Sequence, residues 1–176
     1  IVLHELGRTA EAEAACRQAI EQMPAMAEAH NGLANILKFQ GRTEEALESY
    51  GRAIELNPHY AEAYNNMGFA FQQAGDLTQA GAAFRGALEQ RPDYAEAHFN
   101  LGTNHLETGQ YEMAVAECEQ ALRLNPRMAQ AYYNMGQAYY RLGQLDLRRV
   151  TALLPAALNR FGNTVHQPID RPRDEE

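Results

Sequence analysis

The sequence has few cysteines, no long apolar run and no excess of positive charge. Two cysteines, Cys16 and Cys118, are too few for the disulfide framework of a small secreted protein. No apolar stretch reaches the roughly 18–20 residues that a membrane-spanning helix requires, so no membrane span is expected. The 15 Lys and Arg residues against 23 Asp and Glu give a net charge of −8, which disfavours nucleic acid as a partner.

The composition is that of a folded chain. Hydrophobic residues make up 45% and charged residues 22% of the 176 residues, which argues against disorder along the whole length. This length favours one domain or one continuous stack of units. We interpret the protein as cytoplasmic; because the sequence begins with Ile1 rather than Met, a removed signal peptide or a missing upstream part stays open.

Glycine and proline recur at a fixed interval of 34 residues. The positions in this register are Gly7, Gly41, Gly75, Gly109 and Gly143, together with Pro24, Pro58, Pro92 and Pro126. A fixed period of about 20–50 residues is typical of solenoids, whose units bury their apolar faces only against neighbours. Between these positions the apolar spacing is helical, once before the glycine and once after it. Each unit is therefore predicted to be a pair of helices.

Each helix pair is predicted to turn at its glycine and to end before its proline. A residue without Cβ tolerates positive φ at a helix C-terminus, so Gly41, Gly75 and Gly109 are expected to end first helices. Asp76 and Thr43 are candidate starts of second helices. Proline cannot donate the next helical hydrogen bond, so the second helices should stop before the recurring prolines.

The recurring residues resemble the tetratricopeptide repeat, whose pattern is an aromatic residue, Leu-Gly, Tyr, Ala-x3-Phe-x2-Ala and Pro. Three consecutive segments, 27–60, 61–94 and 95–128, carry the pattern in register. In the second segment its members are Tyr64, Met67, Gly68, Phe71, Ala80, Phe84, Ala87 and Pro92. The resemblance implies an all-α fold, a right-handed superhelix or αα solenoid of antiparallel helix pairs. Small residues would lie where helices approach closely, at Gly68, Gly102 and Gly136 among others.

The two ends of the chain depart from this pattern. Residues 1–24 are predicted to supply the closing helix of an earlier, truncated repeat. Residues 129–162 are predicted to form a degenerate repeat with a capping helix kinked or broken near Pro155, since Arg148 and Pro155 replace recurring alanines. The alternative is that this end is the edge of a fragment. Residues 163–176, rich in charge and proline, are expected to be a disordered tail.

No group of residues has the spacing of a catalytic or metal site. His98 and His105 lie seven residues apart on one predicted helix, about 10 Å along its axis, which is too far for one metal ion. Both occupy positions that are aromatic in the neighbouring repeat, which favours packing. Cys16 and Cys118 share the register of Phe84 and are interpreted as small hydrophobes. We therefore predict that the protein is not an enzyme and needs no cofactor or metal.

The predicted binding surface is the concave groove, which the resemblance places on the first helix of each pair. The candidate site consists of Asn31, Asn35, Asn65, Asn66, Phe69, Gln73, Phe99, Asn100, Thr103, Tyr133, Asn134, Gln137 and Arg141. Within it, Asn66, Asn100 and Asn134 recur at the 34-residue period. An asparagine amide both donates and accepts hydrogen bonds, so this column can hold the backbone of an extended peptide. The alternatives are that these amides only face solvent or that they bond to neighbouring first helices.

The asparagine column is similar to the one in the repeat arm of O-linked N-acetylglucosamine transferases, where it holds protein substrates. The chaperone adaptors that grip acidic C-terminal tails of heat-shock proteins instead use Lys and Arg together with Asn. No lysine stands at the corresponding positions here, which are Asn31, Asn65, Phe99 and Tyr133. The predicted rim favours neutral or basic peptides, because it carries Glu28, Glu62 and Glu96.

The sequence therefore predicts a non-enzymatic scaffold that binds an extended peptide or a partner helix in the groove. The alternative is that it serves as the substrate-recognition arm of a larger enzyme, such as a glycosyltransferase of the O-GlcNAc type, whose catalytic domain would lie in another part of that protein. A third hypothesis is self-association through the exposed ends of the solenoid.

Overall fold

The computed structural model describes residues 2–143, which form eight α-helices joined by short turns. Their bounds are α1 Val2–Gln22, α2 Ala27–Phe39, α3 Thr43–Leu56, α4 Ala61–Gln73, α5 Leu77–Gln90, α6 Ala95–Glu107, α7 Tyr111–Leu124 and α8 Ala129–Arg141. This part of the chain contains no strand, so the predicted all-α fold is confirmed. The predicted capping helix near Pro155 and the predicted tail 163–176 lie outside the described residues.

The helices pack as consecutive antiparallel pairs, α2 with α3, α4 with α5 and α6 with α7. We call α2, α4, α6 and α8 the first helices and α1, α3, α5 and α7 the second helices. Neighbouring first helices also contact one another, whereas the described second helices make no contact of that extent among themselves. In a curved stack the more closely spaced row lies on the inner side. The first helices therefore line the concave face.

The turn inside each pair requires a backbone conformation that favours glycine. Gly75 follows α4 with a φ of 82°, and the next amide, Asp76 N–H, donates to the Phe71 carbonyl at 3.0 Å. Among the described residues, the other glycines with positive φ are Gly41, Gly109 and Gly143. Gly7 shares the 34-residue spacing but lies inside α1, so at this position the spacing does not mark a turn.

The starts and ends of the second helices mostly follow the sequence signals. Asp76 is the N-cap of α5, and its carboxylate accepts a hydrogen bond from Gln79 N–H at 3.0 Å. α3 begins at Thr43, but its N-cap is Arg42, whose side chain makes no capping hydrogen bond. An extended residue ends each of α3, α5 and α7, because the residue before proline avoids the helical region. These residues are Asn57, Arg91 and Asn125.

The core between the two helix rows alternates small and large side chains. Ala80 and Phe84 of α5 are fully buried, and an ideal Cβ built on Gly68 would lie only 2.7 Å from the Phe84 ring. A Cβ on Gly102 would lie 3.0 Å from the Cys118 sulfur, which confirms the predicted close approach there as well. At Gly136 no described atom lies within 4 Å of such a Cβ, so no close approach is seen within the described residues.

We expect Gly68→Ala to destabilise the protein by about 1–3 kcal/mol, because the buried Phe84 ring cannot move away from the added methyl group. Gly51→Ala is the matched control: Gly51 lies in α3, an added Cβ would meet no atom within 4 Å, and better helix propensity should stabilise the variant by about 0.5–1 kcal/mol. Urea unfolding of both variants measures the difference. Equal stability of the two variants would contradict the assigned packing.

A cluster around Glu13 joins α1 to the corner between α2 and α3. Arg17 and Arg42 donate to one carboxylate oxygen at 2.6 and 2.8 Å, and Gln40 donates to the other at 2.8 Å. These hydrogen bonds lower the pKa of Glu13 from 4.5 to about 2. A carboxyl with a lowered pKa in the folded state stabilises the fold above its unfolded pKa, and this contribution is lost as the pH falls towards the folded value.

We expect Glu13→Gln to flatten the loss of thermal stability between about pH 5 and pH 2, since the variant has no carboxyl to protonate. At neutral pH the variant should melt at a lower temperature than wild type, because it lacks the carboxylate charge that Arg17 and Arg42 bind. Circular dichroism melting at stepped pH measures both effects. Glu21→Gln, which removes an exposed α1 carboxylate outside this cluster, is the control. Superimposable pH profiles of wild type and Glu13→Gln would refute the role of this cluster.

Candidate functional site

Each first helix presents the same four positions to the concave face, because residues three or four apart share one side of a helix. Read from α2 to α8, the four columns are Gly32, Asn66, Asn100 and Asn134; Asn31, Asn65, Phe99 and Tyr133; Asn35, Phe69, Thr103 and Gln137; and Phe39, Gln73, Glu107 and Arg141. All thirteen candidate site residues fall in these columns.

The asparagine column links neighbouring first helices by hydrogen bonds. The Asn66 amide nitrogen donates to Asn31 Oδ1 at 3.3 Å. In the next repeat the Asn100 amide nitrogen donates to Asn65 Oδ1 at 3.0 Å. Asn31 and Asn65 are buried and act as acceptors between the helices. The amides therefore bond to neighbouring first helices, which is one of the two alternatives to peptide binding.

The pattern changes at the third step of the column. Phe99 occupies the register of Asn31 and Asn65 and offers no side-chain acceptor. The Asn134 amide nitrogen donates instead to Thr103 Oγ1 at 2.8 Å, one helical turn further along α6. Among the described residues, no hydrogen bond uses the carbonyl oxygen of Asn66, Asn100 or Asn134. These oxygens are the groups that the column can offer to a ligand.

Two adjoining cavities occupy the C-terminal half of the concave face. The aromatic cavity, of about 410 Å³, lies between α4, α6 and α8. Its lining residues are Phe69, Gln72, Gln73, Phe99, Asn100, Thr103, Glu107, Gln130, Tyr133 and Asn134. The terminal cavity, of about 610 Å³, lies between α6, α7 and α8. It is lined by Thr103, Leu106, Glu107, Tyr111, Asn134, Gln137, Tyr140 and Arg141.

The structure brings most, but not all, of the candidate site residues together. Nine of the thirteen line these two cavities. They are Phe69, Gln73, Phe99, Asn100, Thr103, Tyr133, Asn134, Gln137 and Arg141. Of the others, Asn31, Asn65 and Asn66 belong to the inter-helix hydrogen bonds. Six further lining residues are not among the thirteen: Gln72, Leu106, Glu107, Tyr111, Gln130 and Tyr140. Leu106 is apolar and Tyr111 begins a second helix, so neither belongs to the polar positions of the first helices.

Asn35 lies apart from the other candidate residues. Its Oδ1 accepts a hydrogen bond from the hydroxyl of Tyr50 at 2.6 Å, and burial raises the pKa of that phenol. Asn35 also lines a separate shallow cavity against α1, together with Phe39, whose side chain is 74% exposed. Asn35 therefore connects the concave face with the core instead of contributing to the two larger cavities.

Three charged contacts shape the concave face. Gln72 Nε2 donates to Glu107 Oε2 at 2.9 Å and so holds this carboxylate at the boundary of the two cavities. Lys38 Nζ lies 4.9 Å from the centroid of the Phe69 ring, a cation–π contact between α2 and α4. At the edge of the groove Arg91 pairs with Glu62, and this hydrogen bond lowers the pKa of the carboxyl.

His98 and His105 have structural partners, and Cys118 is buried. His98 bridges the Glu117 carboxylate at 2.7 Å and the Pro92 carbonyl at 3.0 Å. The buried His105 contacts Gln110 Oε1 at 2.6 Å. Burial raises the pKa of the Cys118 thiol to about 12, which disfavours a reactive thiolate. Within residues 2–143 no cluster of His, Cys, Asp and Glu could hold a metal ion.

Comparison with protein families assigns the repeats. Models described as TPR repeat or tetratricopeptide repeat match residues 34–75 and 104–143, residues 71–118 and residues 1–18. Apart from residues 19–33, these matches together cover the eight helices seen in the structure. The chain belongs to the tetratricopeptide repeat (TPR) family. A search of curated proteins finds no match.

Solved TPR structures share the fold over most of the chain. A crystal structure of MamA is 24% identical with a TM-score of 0.78, covering 91% of this chain and 92% of that one. YrrB, described as a TPR protein with an unusual peptide-binding site, is 18% identical with a TM-score of 0.69, covering 92% and 86%. The first TPR of Spaghetti (RPAP3), bound to the HSP90 peptide SRMEEVD, is 19% identical with a TM-score of 0.66, covering 67% and 94%. At these identities the likeness establishes the TPR fold alone.

None of the TPR helices that the structure describes is long and apolar enough to cross a membrane.

We expect the Asn65–Asn100 hydrogen bond to stabilise the stack of TPR repeats. A double-mutant cycle of Asn65→Ala, Asn100→Ala and the double variant should give a coupling energy of about 0.5–1.5 kcal/mol in urea unfolding. The same cycle on Asn65 and Asn134, which share no hydrogen bond, is the control and should give a coupling near zero. A coupling near zero for Asn65 and Asn100 would show that the bond adds nothing to stability.

Proposed function

We propose that the chain is a non-enzymatic protein-interaction scaffold whose concave groove binds an extended segment of another protein. The observation that carries the proposal is the continuous inner surface of α4, α6 and α8, where aromatic rings lie beside amide groups. Tyr133 and Tyr140 are each 66% exposed, and Phe69 is 39% exposed. Large exposed rings next to well-placed polar groups are typical of interaction surfaces.

The amide column supplies the contacts that do not depend on the ligand sequence. Neighbouring helices pack about 8–10 Å apart, and an extended chain rises about 3.3 Å per residue. The carbonyl oxygens of Asn66, Asn100 and Asn134 could therefore accept backbone N–H groups from roughly every third residue of a bound segment. Their amide nitrogens are already bonded to neighbouring helices, which fixes the orientation of the oxygens before a ligand arrives. Such preorganisation lowers the entropic cost of binding.

Two of the structural relatives support a groove that receives peptides. YrrB is described as having a peptide-binding site, and the RPAP3 repeat holds a peptide of HSP90. The HSP90 peptide SRMEEVD is rich in acidic residues. The groove of the present chain carries Glu107 near its centre, with Glu28 and Glu96 exposed on the first helices, so we expect a ligand of different charge.

A second candidate function is that of a recognition arm in a larger enzyme. The recurrence of Asn66, Asn100 and Asn134 along the concave face favours it, through the resemblance to O-GlcNAc-type glycosyltransferases. Sequencing the gene on both sides of the region that encodes residues 1–176 tests this candidate. A glycosyltransferase domain in the same reading frame would support it, and stop and start codons directly flanking the region would exclude it.

The proposal is tested by selecting ligands from a displayed library of random linear 12-residue peptides. We expect the selected peptides to bind the double variant Phe69→Ala/Tyr133→Ala at least tenfold more weakly than wild type, a loss of about 1.4 kcal/mol. Isothermal titration calorimetry with the synthesised peptides measures the affinities.

Met113→Ala is the matched control, because Met113 is a large side chain of α7 that is 52% exposed and lines neither groove cavity. It should bind the selected peptides as wild type does. Melting curves of all variants check that they fold. Failure to select any peptide, or selected peptides that ignore Phe69 and Tyr133, would reject the groove as the binding surface.

A further inference from the structure

We propose that the aromatic cavity between α4, α6 and α8 selects a basic side chain, arginine or lysine, in the bound segment. The inference rests on the proposed function and adds its specificity: a scaffold that binds extended segments here should prefer those that place a cation in this cavity. Three observations support it: the aromatic residues that line the cavity, the single charged residue among the lining residues, and a cation–π contact elsewhere on the concave face.

The walls of the cavity are aromatic on three successive first helices. Phe69 comes from α4, Phe99 from α6 and Tyr133 from α8. Aromatic faces carry negative electrostatic potential, and a cation within about 6 Å of a ring centroid is attracted to it. Guanidinium groups can also stack flat on such rings. Three rings around one cavity of about 410 Å³ therefore suit a cationic side chain with a long apolar stem.

Glu107 is the only charged residue among those that line this cavity. Gln72 donates a hydrogen bond to its Oε2 and fixes the carboxylate in place. No hydrogen bond among the described residues uses Oε1, so this oxygen is available to a ligand. A guanidinium or ammonium group can donate to it, and charge-assisted hydrogen bonds are stronger than neutral ones.

The concave face already contains one contact of this type. Lys38 Nζ lies 4.9 Å from the centroid of the Phe69 ring, so a cation and this ring are compatible at the same surface. Phe69 also lines the aromatic cavity. A ligand cation in the cavity would make the same cation–π contact with the adjoining rings. It would also bind the Glu107 carboxylate, which Lys38 does not reach.

An apolar side chain fits this cavity less well. It would cover the free oxygen of Glu107 and the amides of Asn100 and Asn134 without replacing their hydrogen bonds to water, which is costly. An acidic side chain would face Glu107 directly. Arg141 lines the terminal cavity but not the aromatic cavity. Its positive charge repels a second cation on that side of Glu107, so a ligand cation is preferred on the aromatic side. The net charge of −8 also attracts basic segments over longer distances.

The test uses the 12-residue peptides selected on the wild-type protein. We expect one arginine or lysine to recur among them at a fixed position. For an arginine peptide, replacement of that residue by citrulline, which keeps the shape and removes the charge, should weaken binding at least tenfold in calorimetric titration. With Glu107→Gln, the advantage of the arginine peptide over the citrulline peptide should shrink, because the carboxylate is gone and only the aromatic rings still favour the cation. If lysine recurs, norleucine replaces citrulline.

Glu89→Gln is the control variant, since it removes one negative charge from an exposed position of α5 outside both groove cavities. It should keep the full preference for arginine over citrulline. Selected peptides without a recurring basic residue, or a preference for arginine that Glu107→Gln leaves undiminished, would overturn this inference and leave the binding function intact. If no peptide is selected at all, both the inference and the proposed function are overturned.

Discussion

The close approach of two helices, made possible by a missing side chain, is the constraint on which the structure depends. Gly68 lets the fully buried ring of Phe84 lie against the α4 backbone, where even one methyl group would collide. Gly102 and the smaller Cys118 repeat this contact one unit later. These two successive pairs therefore pack in the same way. Residues 34 positions apart form columns on the concave face.

The concave columns belong to the fold and to the candidate site at the same time. Asn65 is buried and accepts the hydrogen bond of Asn100, so it connects α4 and α6, two first helices that otherwise share few contacts. The same hydrogen bond orients the Asn100 carbonyl oxygen. Because these amides are already oriented, the groove needs little rearrangement to bind a ligand. The amide groups that form hydrogen bonds between helices are not available to that ligand.

The sequence predicts the fold well because its signals are local and steric. A turn that needs positive φ identifies Gly75, and a cap that needs a carboxylate identifies Asp76, in each case from a few neighbouring residues. The hydrogen-bond partners of the amides depend instead on how far one first helix is shifted along its axis relative to the next first helix. The 34-residue period alone does not specify this shift. For the same reason the sequence does not predict that Tyr111 lines the terminal cavity. Tyr111 starts a second helix, and its position beside the groove depends on how the helices pack.

The change in hydrogen bonding along the asparagine column and the formation of the aromatic cavity have one cause. Phe99 stands where the two preceding repeats have asparagine, so α6 loses an acceptor and gains an aromatic wall. The hydrogen bonding along the column continues because Thr103, one turn away, takes over as acceptor for Asn134. Tyr133 extends the aromatic surface into the next repeat. One substitution in a repeated unit can therefore convert a uniform polar column into a site with its own selectivity. The helices stay connected, because Asn134 donates to Thr103 instead.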